Sequence, residues 1–135
     1  MNKNFTIVDN YAIEHESDWF DIHNNYSIKS IFYDPANRSL TFNWVKKRTE
    51  VKGQESFMLK FNGVSILKIN GILPSEKNNN DVTLSYLGYL HPNDLDLMNG
   101  CLMENEANSS YHLVCGFENG LFIKVFSNTA EVVVL

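Results

Sequence analysis

The sequence predicts an all-β domain, an antiparallel sandwich or partly closed barrel of about eight strands, with room for one short N-terminal helix. Three observations predict it. Apolar residues alternate with polar ones at a spacing of two through most of the chain, which gives a pleated strand one apolar face. Turn-forming pairs and clusters fall between these runs. The 135 residues are 44% hydrophobic and 13% aromatic, enough for one sizeable core and one domain spanning 1–135.

Taken in order, the elements are these. Asn10–Phe20 shows no alternation and is the place for the short helix, although Tyr11, Ile13 and Trp19 do not fall on one helical stripe. Strands are expected at Tyr26–Tyr33 and Leu40–Thr49, joined by Asp34-Pro35-Ala36-Asn37-Arg38-Ser39. There Asp bonds the backbone ahead of it, Pro presets φ and Asn tolerates the left-handed position. Glu55–Phe61 and Val64–Asn70 flank Asn62-Gly63, which predicts a two-residue type I′ hairpin turn. Asn78-Asn79-Asn80-Asp81 is a loop after Pro74, followed by a strand at Val82–Leu90. His91–Ser109 is the longest stretch without strand character, with a helical turn expected through Leu95, Met98 and Leu102. Ser110–Phe117 alternates. Asn119-Gly120 predicts a second two-residue hairpin, leading into Leu121–Ser127 and Ala130–Leu135, both apolar enough to be central strands buried on two faces.

Charge is distributed unevenly. Of the 11 Lys and Arg residues, nine lie between Lys29 and Lys77. Asn4–Ile28 holds five carboxylates (Asp9, Glu14, Glu16, Asp18 and Asp21) and no basic residue. Asn78–Ile123 holds six (Asp81, Asp94, Asp96, Glu104, Glu106 and Glu118) and again none. The net charge of −5 argues against a nucleic-acid binder that neutralises phosphates. No apolar run approaches the ~18 residues of a membrane span. The first apolar stretch breaks at Asp9, too short for a signal-peptide core, so the expected location is the cytoplasm and Cys101 and Cys115 are expected as free thiols.

Catalytic motifs fail on inspection. His15-Glu16-Ser17-Asp18-Trp19 begins like a zinc-protease helix, but position 19 is Trp where a second His is required. His15, His23, His91 and His112 lack ligand spacing. There is no nucleophile elbow, phosphate loop or dinucleotide fingerprint. No cofactor and no metal is expected, and the protein reads as a non-enzyme. Asp21 and His23 share a face if their segment is extended, which would allow an acid–base pair. A thiol enzyme would use Cys101, which follows Gly100 in the long loop. Tyr86, Tyr89 and Tyr111 are candidates for an aromatic ligand groove, with core packing as the competing role.

The extended segment Phe20-Asp21-Ile22-His23, the hairpin Ser27–Trp44 and the run Phe57-Met58-Leu59-Lys60-Phe61-Asn62-Gly63-Val64-Ser65 resemble small uncharacterised bacterial β-rich proteins. Some of these are similar to immunity proteins of polymorphic toxin systems. The resemblance covers about the first half of the chain. It implies a protein that acts by occluding a toxin, so no catalytic residue carries over, and many toxins that attack nucleic acid are basic.

The functional expectation is therefore a non-catalytic protein-binding module, in its specific form an immunity-like, toxin-neutralising protein. A small-ligand or carbohydrate-binding β-sandwich is the alternative. Asn10–Asn24 and His91–Ser109 are expected to converge into one acidic partner-binding surface. Its candidate residues are Asp18, Trp19, Phe20, Asp21, His23, Asp94 and Asp96, with Leu95, Leu97 and Met98 as further apolar anchors. Apolar anchors supply affinity and the carboxylates steer a basic protein partner.

Overall fold

The computed structural model describes residues 1–48, 53–74, 83–98 and 100–135. It is an antiparallel β-sandwich with a small third sheet at one side. The first part of the chain forms β1 (Asn2–Lys3), β2 (Thr6–Val8), β3 (Ala12–His15), β4 (Asp18–Asp21) and the single turn α1 (Ile22–Asn25). Then come β5 (Tyr26–Asp34), β6 (Ser39–Lys46), β7 (Ser56–Asn62), β8 (Ile66–Asn70) and β9 (Leu84–Leu90). After a 3-10 turn at Glu104–Glu106 follow β10 (His112–Phe117), β11 (Phe122–Phe126) and β12 (Thr129–Val134).

The large sheet has the order β1-β12-β7-β6-β5, the facing sheet β8-β11-β10-β9, and the small one β2-β3-β4. In the facing sheet β9, β10 and β11 form consecutive hairpins and β8 lies beside the last of them, a Greek-key arrangement. All eight strands read from alternation are present, with Thr49 and Val82, at the ends of two of them, outside the described residues. The Asn78–Asp81 loop also lies outside the described residues.

The alternating faces build the core as their period requires. Leu40, Phe42 and Trp44 on β6 and Phe57, Leu59 and Phe61 on β7 are all buried. They meet Leu113, Cys115 and Phe117 of β10 and Ile123 and Val125 of β11 in one cluster. Trp44 stacks on Phe57 beside it and on Phe117 across the sandwich, with centroids 6.1 and 6.0 Å apart. Each such large side chain stabilises the fold by roughly 1.5–3 kcal/mol through burial.

Several expectations are corrected. Asn10–Phe20 is not helical. It forms the β3–β4 hairpin, and the helical turn begins two residues later, with Asp21 as its N-cap. Asn62-Gly63 is not a hairpin turn, because β7 and β8 belong to different sheets. It is a corner through which the chain crosses the sandwich. Val64 is buried there and donates to the Arg38 carbonyl at 2.8 Å, while Ser65 donates to the Phe126 carbonyl at 2.9 Å. Only Gly63 of the pair is left-handed (φ +68°), and a Cβ there would lie 2.4 Å from the Asn128 side-chain nitrogen. Asn119-Gly120 does close the β10–β11 hairpin, but as a three-residue loop. Gly120 donates to the Phe117 carbonyl and Phe117 to the Leu121 carbonyl, both at 2.9 Å, with Gly120 at φ +87°. In the Asp34–Ser39 turn Asp34 caps Ala36 and Asn37 as expected, yet the left-handed residue is Arg38.

Among the described residues no helical turn passes through Leu95, Met98 and Leu102. Leu102 instead bridges to Tyr89, and the 3-10 turn follows it. The two-sided strand is β10, buried at every position, together with the centre of β11, whereas β12 is buried on alternate residues only. Pairing is antiparallel except where β1 runs parallel to β12.

Candidate binding surface

The small sheet gives the first acidic segment its shape. Asp9 and Asn10 are both left-handed (φ 52° and 65°) and Tyr11 donates to the Val8 carbonyl, so a three-residue turn, Asp9 to Tyr11, joins β2 to β3 without glycine. Glu16 (φ 55°) occupies the turn between β3 and β4. In the ladder Ile7 faces Ile13 and Ile13 faces Phe20, and all three are buried against the sandwich. The opposite face carries Thr6, Glu14 and Trp19 in one row. Trp19 is 57% exposed, directly opposite Glu14, with Glu16 exposed in the adjoining turn and Asp18 exposed at the start of β4 on the other face.

The other candidates of this segment take different places. Phe20 is 1% exposed, with its ring 4.5 Å from Phe57, so it is a core residue and not a contact residue. Asp21 is half-buried and accepts from the Asn24 amide at 3.1 Å and the Asn24 side chain at 3.0 Å, capping α1. Because the segment turns helical there, Asp21 and His23 do not pair. The His23 Nδ1 meets the Leu84 carbonyl at 2.5 Å, and the His23 carbonyl accepts from Lys47 at 2.9 Å.

The Glu104–Glu106 turn of the second acidic segment packs against β2 of the small sheet, but its Asp94–Asp96 stretch does not join this surface. α1 packs beside β9, and Asn10 accepts from the Leu87 amide of that strand, so the small sheet borders the β9 side of the facing sheet. The Asp94–Asp96 stretch rests on β11 and β8. Lys124 donates to the Asp94 carbonyl at 2.5 Å and Lys68 to the Leu95 carbonyl at 3.2 Å. Those strands lie two and three positions from β9, about 10–15 Å away at ordinary strand spacing. Asp94 and Asp96 are thus exposed residues next to two lysines, with Leu95 and Met98 exposed and Leu97 half-buried among them.

Sequence reading missed one cluster. Lys3, Tyr89 and Glu104 converge from β1, β9 and the 3-10 turn around a hollow of about 200 Å³, also lined by Met1, Ser109 and Tyr111. Glu104 meets Lys3 at 2.5 Å and accepts from Tyr89 at 2.6 Å and from the Ile7 amide at 2.9 Å. Lys3 also bonds the Tyr89 hydroxyl and lies over its ring, 4.6 Å from the centroid. Burial pushes the Glu104 carboxyl up, but the bonds from Lys3, Tyr89 and Ile7 outweigh it and hold it below the usual range. Burial and the adjacent Glu104 push the Tyr89 hydroxyl far up. The cluster's charges satisfy one another, which is the signature of a structural staple. No residue type or spacing marks it, because its members are 86 and 15 positions apart.

The remaining candidates are structural in their contacts. His15 bonds the Asn4 carbonyl at 2.8 Å, His91 packs edge-on to Tyr111, and His112 is buried against Phe126 with its pKa lowered by burial and by Lys124. Among the described residues no three His, Cys, Asp or Glu side chains are grouped to hold a metal ion. Cys101 and Cys115 are unbridged, and burial pushes both thiols up, away from the reactive thiolate. Tyr86 faces Gly116 on the neighbouring strand, in the space where a Cβ of Gly116 would fall, so it does not share a groove with Tyr89 and Tyr111. No helix among the described residues is long and apolar enough to cross a membrane. Comparisons with known protein families, with curated proteins and with solved structures return no match for this chain.

Proposed function

We propose that the protein is a non-catalytic protein-binding module that engages a basic partner through the outer face of its small sheet, and that its specific role is to neutralise a toxin by covering it. The observation that carries this reading is Trp19, more than half exposed on the outer face of a β ladder, with Glu14 directly opposite and Glu16 in the adjoining turn, while Asp18 is exposed next to it on the other face of the strand. An exposed Trp costs solvation without stabilising the core, and Trp is the side chain most enriched among residues that dominate binding energy. Glu14 and Glu16 beside it, with Asp18 adding negative charge to the same hairpin, favour a cationic partner, both by steering and by pairing with an Arg or Lys laid on the indole. The working location under this proposal is the cytoplasm.

The test is binding kinetics with partners captured from the source cells. Trp19→Ala should speed dissociation at least about tenfold. Glu14→Gln with Glu16→Gln and Asp18→Asn should slow association and flatten its salt dependence. Unchanged kinetics in both variants would end the proposal.

A second reading has its own observation. The hollow beside Lys3 and Glu104, lined by Tyr89 and Tyr111, suits a small polar ligand, though its volume is below the usual 300–1,000 Å³ of ligand sites. Native mass spectrometry of the purified protein tests it by revealing a retained small molecule.

A further inference from the structure

The sheet edges of this sandwich are treated unequally. The β9 edge is covered: Leu87 donates to the Asn10 carbonyl at 2.7 Å, and Tyr89 and Leu102 exchange bonds at 3.0 and 2.7 Å. β1 covers β12. At the other end of the large sheet β5, nine residues long, pairs with β6 on one side and, among the described residues, with no strand on the other. Exposed edges invite pairing with another chain unless the fold blocks them.

β5 carries on its outer face a pattern of opposite charges about a central aromatic. Its register with β6 slips between Ile28 and Ser30, which leaves Lys29 unpaired as the extra residue of a bulge. Ile28 and Ile31 oppose the buried Trp44 and Phe42, so Lys29 and Ser30 both fall on the outer face, as do Phe32 and Asp34. The outer face of the edge therefore runs cation, hydroxyl, aromatic, anion. Phe32 is 62% exposed and Lys29 is exposed. Asp34 is held as a carboxylate by its bonds to Asn37 and Ala36.

From this we infer that β5 is a self-association edge whose occupant is a second copy of the same chain, paired antiparallel about Phe32. Opposed residues of an antiparallel pair share a face, so Phe32 meets Phe32 of the second copy at the two-fold axis. Ser30 then opposes Asp34 and Lys29 flanks it, once on each side of the axis. A parallel arrangement would set lysine beside lysine. Lysine and a bulge alone would only guard the edge. The central aromatic and the matching carboxylate make it self-complementary. The inference uses no residue of the Trp19 surface and stands apart from the proposed function.

Sedimentation equilibrium of the whole chain from about 1 to about 500 µM tests it, since an edge this short forms an interface below standard size and a weak dimer. A reversible dimer is expected within that range. Phe32→Lys should raise its dissociation constant at least about tenfold, and Lys29→Glu should weaken it because the new carboxylate faces Asp34. Both positions are exposed, and circular dichroism checks that each variant folds. If Phe32→Lys does not fold, Lys29→Glu decides alone. A chain that stays monomeric at the highest concentration, or a dimer indifferent to these changes, overturns the inference.

Discussion

Two stretches of this chain look alike in sequence and behave differently in the fold. Residues 10–24 and 91–109 both lack Lys and Arg, carry several carboxylates and show no strand alternation. In the first, a β-hairpin exposes Glu14 and Glu16 beside Trp19 and Asp18 on the other face, and none of the three accepts a hydrogen bond from a lysine or arginine among the described residues. In the second, cations arrive from distant strands. Lys3 reaches Glu104, while Lys68 and Lys124 hold the carbonyls of Leu95 and Asp94. Local composition does not determine local potential. The fold lays a lysine on the Glu104 carboxylate of the second segment, whereas in the first Lys47 bonds the His23 carbonyl and the outer-face carboxylates are left to solvent and to His15, 3.9 Å from Glu16.

The largest effect that tests this contrast lies in the second segment. Glu104→Ala leaves Lys3, the Tyr89 hydroxyl and the Ile7 amide without their shared acceptor in a partly buried setting, and should destabilise by about 1–3 kcal/mol in urea titration. Glu14→Gln or Asp18→Asn should change stability by less than about 0.5 kcal/mol. A similar cost at both places would erase the distinction.

Acid should separate the segments next. Glu104 has a folded pKa below its unfolded value, so its contribution is fully present above an unfolded pKa of about 4.3 and is lost as pH falls through the folded value. Glu104→Gln should therefore flatten the acid limb of stability against pH. His112 also has a lowered folded pKa, so its contribution is present above about 6.5 and declines at lower pH, in an earlier window that His112→Gln should remove without touching the Glu104 limb.

A smaller, local effect is expected at the lysine clamp. Lys124→Met keeps the bulk of the side chain but frees the Asp94 carbonyl, and amide exchange across residues 93–97 should speed up about tenfold with little change in global stability. Smallest of all, thiol titration of the denatured, unreduced chain should find both Cys101 and Cys115 reactive.

The legibility of the fold follows the same physics. β6, β7 and β9–β11 were readable because one or both faces of each are buried, so their apolar residues mark them. The small sheet was not, because Trp19 is apolar yet faces solvent while Ala12 and Ile13 are both buried, which destroys the period. Its glycine-free turn at Asp9 and Asn10 carried no strong signal either. Asn62-Gly63 marked a change of direction correctly but not its destination, since a left-handed glycine serves a hairpin and a sheet-to-sheet corner equally well. Of the candidate surface residues, Asp18 and Trp19 are exposed, on a strand where a loop or helix is expected, Phe20 belongs to the core, and Asp21 and His23 hold α1 and its contacts. The Lys3–Tyr89–Glu104 staple required the tertiary fold to be seen at all.

The most direct test of the Trp19 surface is affinity capture from the source cells with four immobilised proteins: the unmodified chain, Trp19→Ala, the Glu14→Gln/Glu16→Gln/Asp18→Asn triple variant, and an Asp94→Asn/Asp96→Asn control. The account predicts a basic protein retained by the unmodified chain and the control, and lost from the other two. Capture that is indifferent to Trp19 and its carboxylates, or lost only in the control, would contradict it.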